Sequence, residues 1–145
     1  MAVQKKKNSK KKENEKQLEK DIEQIEKANK IMEEQKKLNE MIKDKVSSIR
    51  EDLKNQLILQ GKFGKQFDDM IEDYLYLVDL KERLKHDIDE NGIRYKNTGG
   101  NGFTTFKPNE SCERLLKTNA QMLKILQDLE LKAPDEGGDE GDDLL

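Results

Sequence analysis

Leu18, Ile22, Ile25, Asn29 and Met32 alternate by four and three along the chain, the spacing of a heptad seam. The seam then slips phase and continues as Leu38, Ile42, Val46, Ile49, Leu53 and Leu57. No Gly or Pro lies between Leu18 and Leu59, so the pattern predicts one helix of about 63 Å at roughly 1.5 Å per residue. Lys36 and Asn39 interrupt the stripe, and a break there is the alternative. A stripe of this length calls for a partner helix, from this chain or another copy. Gly61 and Gly64 end it.

A second helix is predicted from the helical spacing of Phe67, Met70, Ile71, Tyr74, Leu77, Val78, Leu84 and Ile88. Asn91-Gly92 is its expected stop, because Gly enters the left-handed conformation at little cost. Two short β-prone runs around a Gly/Asn-rich turn follow, IRYKNTGGNGFTTFK, which reads as a hairpin or ordered loop. Beyond Pro108, Asn109 can cap a third helix carrying Leu115, Asn119, Met122, Leu126 and Leu129, with Pro134 closing it. The expected fold class is therefore all-α: a long N-terminal helical segment, a central helix, a short β-hairpin and a C-terminal helix. Phe67, Ile71, Tyr74, Leu77, Leu84, Leu115, Met122, Leu126 and Leu129 are the expected core and self-association residues.

Composition changes this picture at the ends. The 145 residues are 41% charged and 32% hydrophobic with no Trp, so any core is small and oligomer contacts or disordered ends are expected. Residues 1–16 hold seven Lys against two Glu, and residues 133–145 hold six acidic residues and no basic one. Four segments result: a basic arm (1–16) expected to be disordered, a coiled-coil-like helical segment (17–60), a helix–hairpin–helix core and oligomerisation region (61–132), and a flexible acidic tail (133–145). A single cysteine, Cys112, fits a reducing compartment. No apolar run is long enough to cross a bilayer, so the protein is expected in the cytoplasm.

Catalytic and cofactor signals fail on spacing. Asp87, Asp89, Asn91 and Gly92 match the first half of a calcium loop, but Thr98 stands where the bidentate acid belongs. Gly61-Lys62-Phe63-Gly64-Lys65 is too short for a phosphate loop, and Gln66 replaces the Mg²⁺-binding hydroxyl. Gly99, Gly100 and Gly102 lack the dinucleotide spacing. His86 is the sole histidine, and one His with one Cys cannot build a zinc cluster. Asp68 and Asp69 are adjacent on a helix and point in different directions. No cofactor and no enzymatic activity are expected.

Basic residues are the better signal. Lys5, Lys6, Lys7, Lys10, Lys11 and Lys12 could neutralise phosphates and give sequence-blind affinity for DNA, or form a solvated tail. Arg94, Lys96, Lys107 and Arg114 surround the aromatics Tyr95, Phe103 and Phe106. That mix suits nucleic-acid contact; the competing reading packs the aromatics on a neighbouring helix.

The run GIRYKNTGGNGFTTFKPNESCERLLKTNAQMLKILQDLEL resembles the C-terminal part of phage terminase small subunits. The resemblance lies in a helix ending at Asn91-Gly92, an Arg94-Tyr95 strand into a Gly-rich loop, and a helix carrying Leu115, Lys117, Asn119 and Gln121-Met122-Leu123-Lys124-Ile125-Leu126. Tyr74, Leu77 and Leu84 of the preceding helix fit the same pattern, so about half of the chain, residues 64–131, is covered. The Lys-rich arm and Ser111-Cys112 depart from it. The resemblance implies a protein of the bacterial host cytoplasm that forms a homo-oligomeric ring. Such a protein binds double-stranded viral DNA at the packaging start site and serves a separate large subunit holding the ATPase and nuclease. Two rivals stand beside it: a coiled-coil scaffold or adaptor with no DNA role, favoured by the Leu18–Met32 seam, and a small regulatory enzyme subunit.

Overall fold

Nothing between Ala2 and Leu59 breaks a helix, and the computed structural model, which describes residues 1–131, contains one helix over that whole span, α1 (Ala2–Leu59). It is followed by α2 (Lys65–Asn91), β1 (Arg94–Thr98), β2 (Thr104–Pro108) and α3 (Glu110–Asp128). Helix α1 runs unbroken through Lys36 and Asn39, so the alternative of a break there does not hold. The acidic tail at 133–145 and the stop at Pro134 lie outside the described residues.

The basic arm differs from expectation. Residues 2–16 were expected to be disordered because they have nothing to bury, yet they are helical and exposed throughout. Burial is not the only route to helix. Lys, Glu and Gln are good helix formers, and extending an existing helix costs far less than nucleating one. The arm propagates the helix whose apolar seam begins at Leu18.

The chain divides into two units, Met1–Lys43 and the remainder from Asp44. The first is helical from Ala2 onward and leaves Leu18, Ile22, Ile25 and Met32 exposed at 53–69%. Apolar side chains in a heptad arrangement are thus presented to solvent with nothing from their own unit against them.

The second unit is a three-helix arrangement, made of the 44–59 stretch of α1 with α2 and α3. Its core cluster takes two residues from each helix: Leu53 and Leu57, Ile71 and Leu75, Ile125 and Leu129. Val46, Ile49, Phe67, Met70, Tyr74, Leu77, Leu126 and Leu131 pack around it. Among the expected core residues, Ile71, Leu84, Met122 and Leu129 are buried, Phe67, Tyr74, Leu77 and Leu126 are half-buried at the margin of the cluster, and Leu115 is half-buried. The predicted α3 seam holds in part: Met122 and Leu129 are buried, Leu115, Asn119 and Leu126 are only half-buried, and Thr118 and Ile125 complete the inward face. Thr118 tolerates burial because its hydroxyl donates to the Arg114 carbonyl at 2.7 Å, which removes the penalty of an unpaired polar group.

Ion pairs tie α1 to α2 around this core. Lys45 Nζ lies 2.6 Å from Glu82 Oε1, whose side chain is 11% exposed. Arg50 grips Glu72 through two bonds, Nε to Oε1 at 2.8 Å and Nη2 to Oε2 at 3.1 Å. The Lys45 hydrogen bond holds the Glu82 carboxyl below its ordinary value of 4.5, and the Arg50 hydrogen bond does the same for Glu72. A carboxylate depressed in the fold stabilises above its unfolded pKa and loses that contribution as pH falls through the folded one. The urea midpoint is therefore expected to hold steady at neutral pH and to drop below about pH 4.5. Glu82→Gln should flatten that drop more than Glu72→Gln, because the solvent around Glu72 screens its pair.

Candidate nucleic-acid interface

The hairpin is built by three local signals. Gly92 takes φ 76°, a left-handed conformation, and its N–H donates to the Ile88 carbonyl at 2.7 Å, ending α2. The strands β1 and β2 then pair antiparallel, with Arg94 opposite Pro108, Tyr95 opposite Lys107, Lys96 opposite Phe106, Asn97 opposite Thr105 and Thr98 opposite Thr104. The connecting turn is closed by Gly99 N–H to the Phe103 carbonyl and Gly102 N–H to the Gly99 carbonyl, both 3.0 Å.

One side chain fastens the base of the hairpin to the helices. Asn109, only 8% exposed, accepts from the Ser111 N–H through Oδ1 at 3.0 Å and so caps α3, as its position after Pro108 predicted. Its Nδ2 donates to Asp87 Oδ2 at 3.0 Å and to the Gly92 carbonyl at 2.9 Å. Its own N–H reaches the Ile93 carbonyl at 2.8 Å. Asp87, a rejected calcium ligand, thus belongs to a capping knot. Hydrogen bonds from Ser111, Asn109 and Asn91 hold its carboxyl below the usual range. Replacing Asn109 with Ala removes the cap and its two donated bonds, to Asp87 and to the Gly92 carbonyl. A loss of about 1–3 kcal/mol in unfolding free energy is expected, whereas Asn109→Asp should keep the cap but repel Asp87. Chemical denaturation of the three proteins checks the order.

Two of the aromatics, Phe103 and Phe106, do not pack on a helix, while Tyr95 lies beside Asp87 and Asn91 of α2. Phe103 is 71% exposed and Phe106 63%, with Ile93 at 70% and Tyr95 at 41%. Arg94, Lys96 and Lys107 are exposed as well. Side chains alternate faces along a strand, and directly opposed residues share a face. The register therefore puts Arg94, Lys96, Thr98, Thr104 and Phe106 on one face, and Tyr95, Asn97, Thr105 and Lys107 on the other. The four basic residues grouped by sequence are thereby separated. Lys107 lies across the ribbon from Arg94 and Lys96, and Arg114 lies on α3 paired to Glu110 at 3.1 Å.

The arm lysines also acquire geometry. At about 100° per residue, Lys7, Lys10 and Lys11 share one face of α1, Lys6 flanks it, and Lys5 and Lys12 lie opposite. No acidic residue occupies the first turn, so Lys5 there meets the positive end of the helix dipole with no acidic neighbour to offset it.

Elsewhere the motifs rejected on spacing have structural roles. Lys62 Nζ donates to the Leu129 carbonyl at 2.6 Å and the Glu130 carbonyl at 3.2 Å, closing the end of α3. Gly61 and Gly64 take φ 68° and 136° in the interhelical turn. Among the described residues no group of three or more His, Cys, Asp or Glu side chains could hold a metal ion. No helix among them is long and apolar enough to cross a membrane. No protein-family model, curated protein or solved structure matches this chain.

Proposed function

We propose that this chain is a phage terminase small subunit, a non-catalytic protein that binds double-stranded viral DNA at the packaging start site. In that role it recruits and regulates the large ATPase-nuclease subunit in the host cytoplasm. The observation that carries the reading is the acid-free stretch from Asn91 to Asn109. It holds three basic residues and no Asp or Glu, in a chain with 31 acidic residues, and forms an exposed ribbon between two helices. Such a segment is complementary to the phosphates of a nucleic acid backbone.

Self-association into a ring rests on the exposed seam of Leu18, Ile22, Ile25 and Met32, since apolar helix faces associate in water. The acidic residues at 133–145 are the proposed contact with the large subunit, through their charge. The adaptor reading is favoured by one feature: Asn29 sits in the seam, as polar residues do where a coiled coil fixes its register.

The deciding experiment pairs native mass by light scattering with binding of a mixed-sequence 30-bp duplex, about 30 bp being enough for several contacts. A closed oligomer whose affinity for duplex falls steeply with salt supports the terminase reading. A dimer indifferent to duplex overturns it in favour of the adaptor.

A further inference from the structure

Among the described residues the hairpin is an isolated ribbon: β1 and β2 form a two-stranded sheet with no third strand. A two-stranded hairpin alone in water is marginal, and this one shows Ile93, Phe103 and Phe106 largely exposed. Two occupants could cover it, the hairpin of a second copy or a nucleic acid.

Charge decides between them. Copies joined edge to edge bring Arg94, Lys96 and Lys107 of each chain together, with no acidic residue between Asn91 and Asn109 to offset them. A duplex supplies the missing negative charge. A two-stranded ribbon is also one of the two protein elements that the major groove, about 12 Å wide, admits.

From this we infer that the hairpin enters the major groove of double-stranded DNA with its Arg94/Lys96/Phe106 face inward and is the part of the chain that discriminates sequence. The inference rests on the terminase reading and assigns its specificity to one face of one element. Arg94 and Lys96, two residues apart on β1, take the phosphates at the groove edge. Thr98 and Thr104, opposed near the tip, present hydroxyls to base edges. Phe106, opposite Lys96, supplies the apolar surface that meets a thymine methyl. The other face is less open: Asn97 is half-buried and Tyr95 is the least exposed aromatic of the hairpin. Positional information then comes from the ribbon and sequence-blind affinity from the lysine arm, the two classes of contact that DNA-binding proteins combine.

The test uses the full chain, anisotropy with a mixed-sequence duplex, and selection from a random-sequence duplex pool. Arg94→Ala with Lys96→Ala is expected to weaken binding at least about tenfold and to lower the log–log salt slope by about 1.8. Phe106→Ser should leave the slope unchanged and erase the sequence enrichment that the parent shows. Lys107→Ala, on the opposite face, should stay within about twofold of the parent. Native mass should be unchanged in all of them.

If the parent binds duplex and every hairpin variant binds and selects as it does, the inference fails while the terminase reading survives on the arm. If the parent ignores duplex at low salt, both fail. If Phe106→Ser or the double variant shrinks the oligomer, the ribbon is an interface between copies, and the inference is overturned.

Discussion

An Ile71→Ala chain is expected to lose about 2–5 kcal/mol of unfolding free energy, read from the urea midpoint at an unchanged slope. Ile71 has no exposed surface and belongs to the cluster that joins Leu53 and Leu57 of α1 to Leu75 of α2 and to Ile125 and Leu129 of α3. Truncating it removes buried methyl groups and leaves a cavity touched by all three helices, so no single element can move in to refill it. The consequence is large because the whole core is small. Domains of this size are stable by about 5–15 kcal/mol, and one central side chain can hold a third of that. Leu116→Ala is the control: Leu116 lies on α3 at 71% exposure and should change stability by no more than about 0.5 kcal/mol. Equal, small effects for both substitutions would show that this cluster is not what holds the unit together.

The same cluster shows where sequence reasoning reaches and where it stops. Element ends were legible because they depend on residues beside them: Gly61 after α1, Asn91-Gly92 after α2, and Asn109 at the start of α3. The inward faces were less so. Helix α2 packs between two helices, so apolar residues occupy more than one face. The run Tyr74-Leu75-Tyr76-Leu77-Val78 offers no clean stripe to choose from. Leu75, buried at 2%, was missed for that reason. On α3 Met122 and Leu129 were legible, but buried Thr118 reads as polar, and only the structure shows its hydroxyl bonded within its own helix.

The candidate interface divides in the same way. That a basic, aromatic hairpin exists follows from composition, and Arg94, Lys96 and Lys107 were nominated on that basis. Which of them act together depends on strand register, since a shift of one residue exchanges the faces. The Asp87–Asn109 link could not be read either. It joins residues 22 apart, and only the antiparallel approach of α2 and α3 brings them within bonding distance. The arm shows the opposite limit: it lacks apolar periodicity yet is helical, because absence of breakers is enough to propagate a helix already formed.

If the arm binds DNA as proposed, that helix makes its lysines unequal, which is the basis of the remaining prediction. As a disordered segment, Lys5, Lys6, Lys7, Lys10, Lys11 and Lys12 would be interchangeable, and removing any of them would lower the salt slope by a similar amount. On a rigid helix a duplex approaches from one side. Lys7, Lys10 and Lys11 share a face by the i, i+3, i+4 rule, and Lys5 and Lys12 lie opposite. Replacing Lys7, Lys10 and Lys11 with Gln, which keeps helix propensity, is expected to lower the log–log slope by about 2.7. Those three contacts alone weaken the parent about 40-fold when monovalent salt rises from about 50 to about 200 mM, and the triple variant should lose that factor. Lys5→Gln with Lys12→Gln should leave the slope within about 0.5 of the parent. If the pair matters as much per residue as the triple, the arm meets DNA as an unfolded strand. Phosphate contact would then have to supply enough free energy to melt the first turns of α1, which costs little where no apolar side chain is buried.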